Sequence, residues 1–370
     1  MKSKIIAFFK KEIVLVVAAV LAFISGFIVP PTKAYMEYID WCVLGILLSL
    51  MTVMAGLQKN GLFDTLVVAL LKRTKKVWQL AFVLVFLCFF LSMLITNDVA
   101  LITFVPFAIL TLKKCGQERL VIPVVVLQTI AANLGSMLTP IGNPQNLYLY
   151  NLSQMGILEF VLFMLPYTMV SGLLLVISLL LIKGKHEAVV IKEETNMRLS
   201  LKKNIIYLIL FALSLLSVAK ILHYMVVLIL VLLVVFIMEK DVLKSVDYCL
   251  LLTFICFFIF TGNLENIPEV KDTLQNLITG RELVISVFAS QAISNVPAAL
   301  LLSEFTDNYR VLLKGVNIGG LGTLIASMAS LISYKIFANH YNELKGRYFL
   351  WFTLANIIYL LILTVVAVIV

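Results

Sequence analysis

The sequence predicts an all-α polytopic membrane protein, organised as an inverted repeat with two re-entrant hairpins, two broken transmembrane helices and about nine full spans. Of the 370 residues, 62% are hydrophobic and 13% are charged, and the mean hydropathy of +1.07 is far above that of soluble domains. Several apolar runs reach or approach the length that crosses a bilayer. These runs are continuous rather than alternating, which excludes a β-barrel.

Charged loops separate the apolar runs and set the order of the spans. The first run follows four lysines like a signal peptide, but its length and the lack of a small-residue cleavage site favour a first span. A short amphipathic segment covers 61–72, and the long run 120–150 carries the interruption TPIGNPQN. The predicted spans cover residues 13–30, 40–57, 120–150, 157–182, 204–221, 224–238, 248–262, 311–338 and 349–369.

Two pairs of half-length runs, 77–95 with 99–112 and 283–293 with 297–306, are compatible with full spans or with re-entrant hairpins. Positive charge decides between these interpretations. With two hairpins and a cytoplasmic amino terminus, 22 of the 29 lysines and arginines lie inside and six lie outside. A full crossing by the first pair would put the clusters KRTKK and KKCGQER on opposite faces, so hairpins are favoured.

This topology contains a symmetry. Residues 1–182 form the first repeat with a cytoplasmic-side hairpin at 77–112, and residues 224–370 form the second with an outer-side hairpin at 283–306. A cytoplasmic linker and a connecting span, 183–223, join them. ITNDVALITFVPF (95–107) echoes ISNVPAALLLSEF (293–305), and LGSMLTPIGNPQNLYLY (134–150) echoes LGTLIASMASLISYKIF (321–337). Many secondary transporters are built from such inverted repeats, with the site where the breaks meet.

Polar residues interrupt the apolar runs at four places. They are the hairpin tips Thr96-Asn97-Asp98 and Ser294-Asn295-Val296-Pro297 and the interruptions 139–146 and 326–330. Non-helical backbone at membrane depth survives only where protein or a water-filled cavity encloses it. Freed carbonyl and amide oxygens suit a hard cation such as Na⁺, and the amino-terminal ends of half-helices suit an anion.

Asp98 is the one carboxylate predicted deep in the apolar zone. Its burial without a partner is costly, which favours a role as cation ligand or proton carrier, although a helix cap is the simpler alternative. Val296 occupies the matching place in the second tip. No Lys or Arg lies at any tip or interruption, so an anion would depend on bound cations, helix dipoles and hydroxyls. A neutral or cationic substrate is equally compatible with this composition.

NDVALITFVP and GSMLTPIGNPQNL resemble signatures of the ion transporter superfamily. This superfamily includes citrate-transporter-like permeases, divalent anion:sodium symporters, arsenite permeases and NhaD-type antiporters. The resemblance implies a homodimer whose transport domains move elevator-fashion against a scaffold. In the symporters, a Ser-Asn-Thr triplet at each hairpin tip contacts substrate carboxylate beside a Na⁺ site.

Carried over by position, the resemblance implies two sets of site residues and candidate Na⁺ ligands at Asn97, Asp98 and Asn143. Both tips depart from the triplet, which leaves room for proton coupling through Asp98, and the second break lacks Gly-Asn-Pro. The implied substrate-binding residues are Thr96, Asn97, Thr139, Asn146, Ser294, Asn295 and Ser330. The implied cation-coupling residues are Asn97, Asp98, Gly142, Asn143, Pro144, Asn295 and Ser327.

The expected function is cation-coupled (Na⁺ or H⁺) secondary transport of a small anion, citrate or another carboxylate, in the cell membrane. Arsenite or antimonite efflux and Na⁺/H⁺ antiport are the alternatives. No enzymatic activity and no cofactor beyond the coupling ion are expected, since the three histidines lie at membrane edges and no nucleotide-binding loop occurs. The expected partners are the lipid bilayer, the small-molecule anion and a second copy, without nucleic acid. The amino terminus is expected inside and the carboxyl terminus outside.

Overall fold

The computed structural model describes residues 12–71, 74–182, 187–188 and 200–370. The predicted cytoplasmic amino-terminal segment, Lys72, Arg73 and most of the predicted linker between the spans 157–182 and 204–221 lie outside the described residues. The described secondary structure is helical, apart from an isolated bridge between Lys76 and Ala188.

Two polar side chains begin helices in the first half of the chain. Asp40 Oδ1 accepts from the N–H of Val43 at 3.0 Å, and Asn143 Oδ1 accepts from the N–H of Asn146 at 2.9 Å, as N-cap residues do. The helices of this half are α1 (Ile13–Ile28), α2 (Tyr35–Tyr38), α3 (Trp41–Lys59), α4 (Leu62–Leu71), α5 (Val77–Leu91), α6 (Asn97–Lys114), α7 (Val121–Ser136), α8 (Pro144–Ser153) and α9 (Ile157–Leu180), with a 3₁₀ turn at Glu118–Leu120.

The second half begins its helices in a similar way. Asp247 Oδ1 accepts from the N–H of Leu250 at 3.1 Å, and Pro268 occupies the first helical position of its helix. The helices are α10 (Leu201–Val218), α11 (Tyr224–Glu239), α12 (Tyr248–Glu265), α13 (Pro268–Ile278), α14 (Glu282–Ile293), α15 (Asn295–Ser303), α16 (Tyr309–Gly319), α17 (Met328–His340) and α18 (Lys345–Ile369), with 3₁₀ turns at Lys240–Ser245 and Asn342–Leu344.

Six helical segments of the described chain are long and apolar enough to cross a membrane. They are Trp41–Lys59, Glu118–Ser136, Ile157–Leu180, Leu201–Val218, Tyr248–Glu265 and Asn342–Ile369. Three of the nine predicted spans are not among them, because α1 and α11 have 16 residues each and the run 311–338 is divided between α16 and α17. The chain is therefore an all-helical polytopic membrane protein.

The helices pack into two groups. Bundle A consists of α1, α3, α10, α11 and α12, in which α1 packs on α12 and α3 packs on α10 and α11. Bundle B consists of α5 to α9 and α14 to α18, with α7 at its centre: 89% of the α7 segment is buried, against a third or less of α9 and α18. The substantial helix contacts between the bundles join α12 to α15 and α3 to α8. Bundle B contains both hairpins and both breaks.

The structure adds one helix and shifts both breaks relative to the sequence expectation. The first break covers 137–143 rather than 139–146, because α7 ends at Ser136 and α8 begins at Pro144. The stretch 263–281, which lies between the predicted span 248–262 and the second hairpin and carries charges of both signs, contains a regular helix, α13. The second break covers 320–327 rather than 326–330, because α17 begins at Met328 with Ser327 in extended conformation before it. Ser330, predicted within the break, therefore lies in the first turn of α17.

Candidate functional site

Each hairpin tip contacts the break in its own half of the chain. The N–H of Asn97, which begins α6, donates to the carbonyl oxygen of Gly142 at 3.1 Å. The N–H of Asn295, which begins α15, donates to the carbonyl oxygen of Ala326 at 2.9 Å. Gly142 and Ala326 directly precede the N-cap residues of α8 and α17. The amino-terminal ends of α6 and α8 therefore lie together, as do those of α15 and α17.

The two tip asparagines are buried and form the same local hydrogen bond. Oδ1 of Asn97 accepts from the N–H of Asp98 at 2.9 Å, and Oδ1 of Asn295 accepts from the N–H of Val296 at 3.0 Å. Ser294, immediately before the second tip helix, has a φ of +75°. Residues other than glycine rarely adopt this backbone conformation, and such backbone strain concentrates at functional sites.

Gly142 shapes the first break through its lack of a side chain. A Cβ at this position would lie 2.0 Å from the carbonyl oxygen of Ser136, so the break closes on the end of α7 only with glycine here. The predicted roles of Gly142 and Pro144 are thus backbone roles: Gly142 offers its carbonyl to Asn97, and Pro144 is the first helical residue of α8.

An asparagine near the end of α7 joins the first tip to the second break. Oδ1 of Asn133 accepts from Nδ2 of Asn97 at 3.1 Å and from Oγ of Ser327 at 2.9 Å. Nδ2 of Asn133 donates to Oγ of Ser330 at 3.3 Å. Asn133, a buried residue outside the predicted set, therefore brings three of the predicted site residues together.

A second asparagine, near the end of α16, makes the reciprocal connection. Oδ1 of Asn317 accepts from Nδ2 of Asn143 at 3.1 Å, and Nδ2 of Asn317 donates to Oδ1 of Asn146 at 2.6 Å. Ser136 links the two connections: its Oγ accepts from Nδ2 of Asn143 at 3.2 Å and donates to the carbonyl oxygen of Asn133 at 2.9 Å. We call these eight residues the asparagine network; it consists of Asn97, Asn133, Ser136, Asn143, Asn146, Asn317, Ser327 and Ser330.

The sequence carried a signal for the two missed asparagines. Asn133-Leu134-Gly135 matches Asn317-Ile318-Gly319 at a spacing of 184 residues. The same spacing pairs Asn143 with Ser327 and Asn146 with Ser330. The predicted match of 134–150 with 321–337 has a spacing of 187, three residues out of register with these pairs. It therefore did not align Asn133 with Asn317.

Asp98 has one oxygen without a hydrogen-bond partner. Its Oδ1 is buried, and no described residue donates to it. Burial of a carboxylate oxygen without a hydrogen-bond donor is energetically unfavourable, so a bound proton or cation would stabilise this atom. Asn97 and Asp98 are adjacent at the tip, but no hydrogen bond between described residues joins Asp98 to Asn143, the third predicted Na⁺ ligand.

The remaining predicted residues lie at the edge of the asparagine network. Thr96 and Thr139 are half-buried, and Oγ1 of Thr139 donates to the carbonyl oxygen of Met93 in the hairpin. Ser294 is buried beside Ala326. Gln145 was not predicted, yet its buried Oε1 is another acceptor without a partner among the described residues.

The charge distribution of the site suits an anion together with a cation. Four helices, α6, α8, α15 and α17, begin beside the asparagine network, and helix amino termini carry partial positive charge. The network consists of neutral amides and hydroxyls, whose oxygens are ligands for hard cations.

A cavity of about 110 Å³ lined by Arg119, Tyr341, Arg347 and Trp351 lies at the opposite end of α7 and shares no residue with the network.

Residues 4–308 match the family model CitMHS, described as citrate transporter. The match includes bundle A, the first hairpin and break, and the second hairpin. It ends before the second break, so Asn317, Ser327 and Ser330 lie outside the matched residues.

Individual relatives extend over more of the chain. An uncharacterized transporter of Methanocaldococcus jannaschii is 34% identical over 346 residues, covering 92% of each chain. The inner membrane protein YbiR of Escherichia coli is 30% identical over 323 residues, covering 85% of this chain and 84% of its own. An uncharacterized transporter of Mycobacterium tuberculosis is 24% identical over 139 residues, 37% of this chain. The chain belongs to the citrate transporter family of membrane transport proteins, within the ion transporter superfamily.

Proposed function

We propose that this protein is a cation-coupled secondary active transporter of a small anion, citrate or another carboxylate. The observation that carries the proposal is the convergence of four helix amino termini on a buried network of neutral amides and hydroxyls beside Asp98. The helix termini favour an anion, while the unpartnered Asp98 oxygen favours a cation. A site that needs both ligands couples their binding.

Either of two coupling ions fits the described groups. Na⁺ would take oxygen ligands such as the carboxylate of Asp98 and the amide oxygens of Asn97 and Asn143. A proton would reside on Oδ1 of Asp98, where no other donor is provided. Since Val296 replaces Asp98 in the second tip, proton coupling would use one half of the chain only.

Matched hydrogen bonds support an inverted repeat of residues 1–182 and 224–370 joined by 183–223. Oγ1 of Thr139 donates to the carbonyl oxygen of Met93, and Oγ1 of Thr323 donates to that of Gln291. Thr139 and Thr323, in the breaks, are 184 residues apart, and the same spacing relates Gly142 to Ala326. Met93 and Gln291, in the hairpins, are 198 residues apart, and the same spacing relates Asn97 to Asn295. The two hairpins are then re-entrant from opposite faces.

The division into two bundles supports an elevator-type mechanism. Both breaks and both tips belong to bundle B, so the whole site can move as one body against bundle A. The positive-inside pattern favours a cytoplasmic amino terminus and an outer carboxyl terminus in the plasma membrane. A homodimer through bundle A would give bundle B a fixed support.

Arsenite or antimonite efflux and Na⁺/H⁺ antiport are the second candidates. The departure of both tips from Ser-Asn-Thr favours them, because Asp98 replaces a hydroxyl that would contact a carboxylate substrate. In an antiporter Asp98 itself would carry the exchanged ion, without an anion at the helix termini.

Currents recorded from proteoliposomes on a solid-supported membrane distinguish these candidates. Citrate, succinate and arsenite are added rapidly, each with and without Na⁺ and at two pH values. The proposal expects a current on carboxylate addition that requires Na⁺ or a proton gradient. Silence to carboxylates, with currents driven by Na⁺ or pH alone, would contradict it and identify an antiporter.

A further inference from the structure

Asp40 joins the two bundles at the amino-terminal end of α3. Its Oδ1 begins α3 by accepting from the N–H of Val43 at 3.0 Å, and its Oδ2 accepts from Nδ2 of Asn151 on α8 at 2.8 Å. Asp40 belongs to bundle A and Asn151 to bundle B. One carboxylate therefore both caps its own helix and contacts the moving bundle.

Asp247 is the counterpart of Asp40 in the second half. Ile39-Asp40-Trp41-Cys42-Val43-Leu44 matches Val246-Asp247-Tyr248-Cys249-Leu250-Leu251 at a spacing of 207 residues. Oδ1 of Asp247 begins α12 by accepting from the N–H of Leu250 at 3.1 Å. Sequence and hydrogen bond thus agree on the equivalence of α3 and α12.

Lys335 is the counterpart of Asn151. The spacing of 184 residues that pairs Asn143 with Ser327 pairs Asn151 on α8 with Lys335 on α17. Asp247 and Lys335 are both exposed. Within the part of the chain that the structure describes, no hydrogen bond or ion pair joins Asp247 to bundle B or Lys335 to bundle A. The contact is closed in the first half and open in the second.

We propose that Lys335 is a positioning residue for the transport cycle, and that it forms an ion pair with Asp247 in the opposite end state. This inference rests on the proposed function. In an inverted repeat, the two halves exchange conformations when the site changes sides, so a contact closed in one half is expected to close in the other. Asp40–Asn151 would then open as Asp247–Lys335 closes.

The unequal chemistry of the two contacts gives them different sensitivities. Asp40–Asn151 is a hydrogen bond to a neutral amide, whereas Asp247–Lys335 pairs two full charges. Exposed ion pairs are weak and are screened by salt. We expect loss of the pair to shift the ratio of end states by about two- to fivefold, with a smaller shift at high ionic strength.

Cysteine cross-linking in proteoliposomes tests the two contacts separately. The five native cysteines are replaced by serine or alanine, and Asp40→Cys/Asn151→Cys and Asp247→Cys/Lys335→Cys are made in this background. Each is oxidised mildly with and without citrate plus Na⁺, and the disulfide-linked peptides are quantified by mass spectrometry. We expect both pairs to cross-link, with yields that respond in opposite directions to the added citrate and Na⁺.

Failure of the inference and failure of the proposed function give different results. If the Asp40/Asn151 yield responds to citrate and Na⁺ but the Asp247/Lys335 pair never cross-links, the bundles move and the ion pair is wrong. If the Asp40/Asn151 yield never changes under any condition, the bundle movement is wrong and the inference falls with it.

A charge exchange checks that the interaction is electrostatic. Lys335→Asp and Asp247→Lys should each change the transport rate, whereas the double variant Asp247→Lys/Lys335→Asp should restore it toward the original value. Lys113→Ala, which removes an exposed lysine of α6, is the matched control. If the effect of the double exchange on the transport rate equals the sum of the effects of the two single changes, the pairing is overturned.

Discussion

Nδ2 of Asn317 donates a 2.6 Å hydrogen bond to Oδ1 of Asn146, a residue 171 positions earlier in the chain. Asn133 reaches in the other direction, from the first half to Ser327 and Ser330 of the second. These reciprocal bonds make one network from the two breaks. The helix ends at the two breaks are therefore fixed around a common centre.

Asn317→Ala and Asn133→Ala should each abolish transport while the protein remains folded. Hydrogen bonds between membrane helices contribute about 0.6 kcal/mol each on average. The two or three that each asparagine makes therefore contribute about 1–2 kcal/mol together, too little to unfold a domain stabilised by about 5–15 kcal/mol. Uptake and thermal unfolding in detergent are measured on the same preparations. Asn308→Ala, which removes an exposed cap of α16, is the control and should keep transport. Wild-type uptake in Asn317→Ala would exclude the network from the site.

Asp98→Asn should abolish coupled transport and leave the fold intact. The amide keeps the shape of the side chain and removes the negative charge that calls for a cation. Uptake is compared with and without an imposed Na⁺ or proton gradient, with Asp64→Asn on α4 as the control. If flux in Asp98→Asn still responds to the ion gradient, Asp98 is merely a helix cap.

Gly142→Ala should inactivate the protein through the backbone. The added Cβ would lie 2.0 Å from the carbonyl oxygen of Ser136, and overpacking of this kind costs about 1–3 kcal/mol. Relief of the clash would also pull the Gly142 carbonyl from Asn97. Gly156→Ala is the matched control, because nothing lies within 4 Å of its added Cβ. Equal unfolding temperatures and equal uptake for the two variants would contradict this account of the break.

Glu239→Ala should lower stability without affecting the site directly. The Glu239 carboxylate accepts from Nδ2 of Asn60 at 2.8 Å and from Nζ of Lys203 at 2.9 Å, which joins α3, α10 and α11 of bundle A. Loss of a largely buried acceptor costs about 1–3 kcal/mol, which an unfolding transition in detergent resolves. Asp241→Ala removes the exposed pair with Lys244 and should change the transition little. A larger effect of Asp241→Ala would show that bundle A is stabilised elsewhere.

The sequence predicted the places where backbone leaves the helix. Asn97, Asp98 and Asn295 interrupt apolar runs that would otherwise be continuous, and the Pro-Ile-Gly-Asn-Pro stretch of the first break (140–144) disfavours a continuous helix. Both signals are local, so single residues were sufficient. The family assignment agrees with the motifs that these same residues form.

The central asparagines could not be identified in this way. Asn133 and Asn317 each lie within an otherwise regular helix, where a lone polar residue is equally consistent with a packing role. Their function depends on contacts with residues that are 194–197 positions away or 171–174 positions away. The second break was predicted at 326–330 instead of 320–327. It contains no Pro or Asn that would mark its position, and the small residues Ala326 and Ser330 resembled its centre.

Uptake of radiolabelled citrate into proteoliposomes tests the central claim most directly. An inward Na⁺ or proton gradient is imposed, and the internal citrate concentration is followed over time. The account predicts accumulation above the external concentration that collapses when the gradient is dissipated and is absent in Asp98→Asn. Citrate that only equilibrates, or accumulation that survives loss of both gradients, would contradict cation-coupled transport.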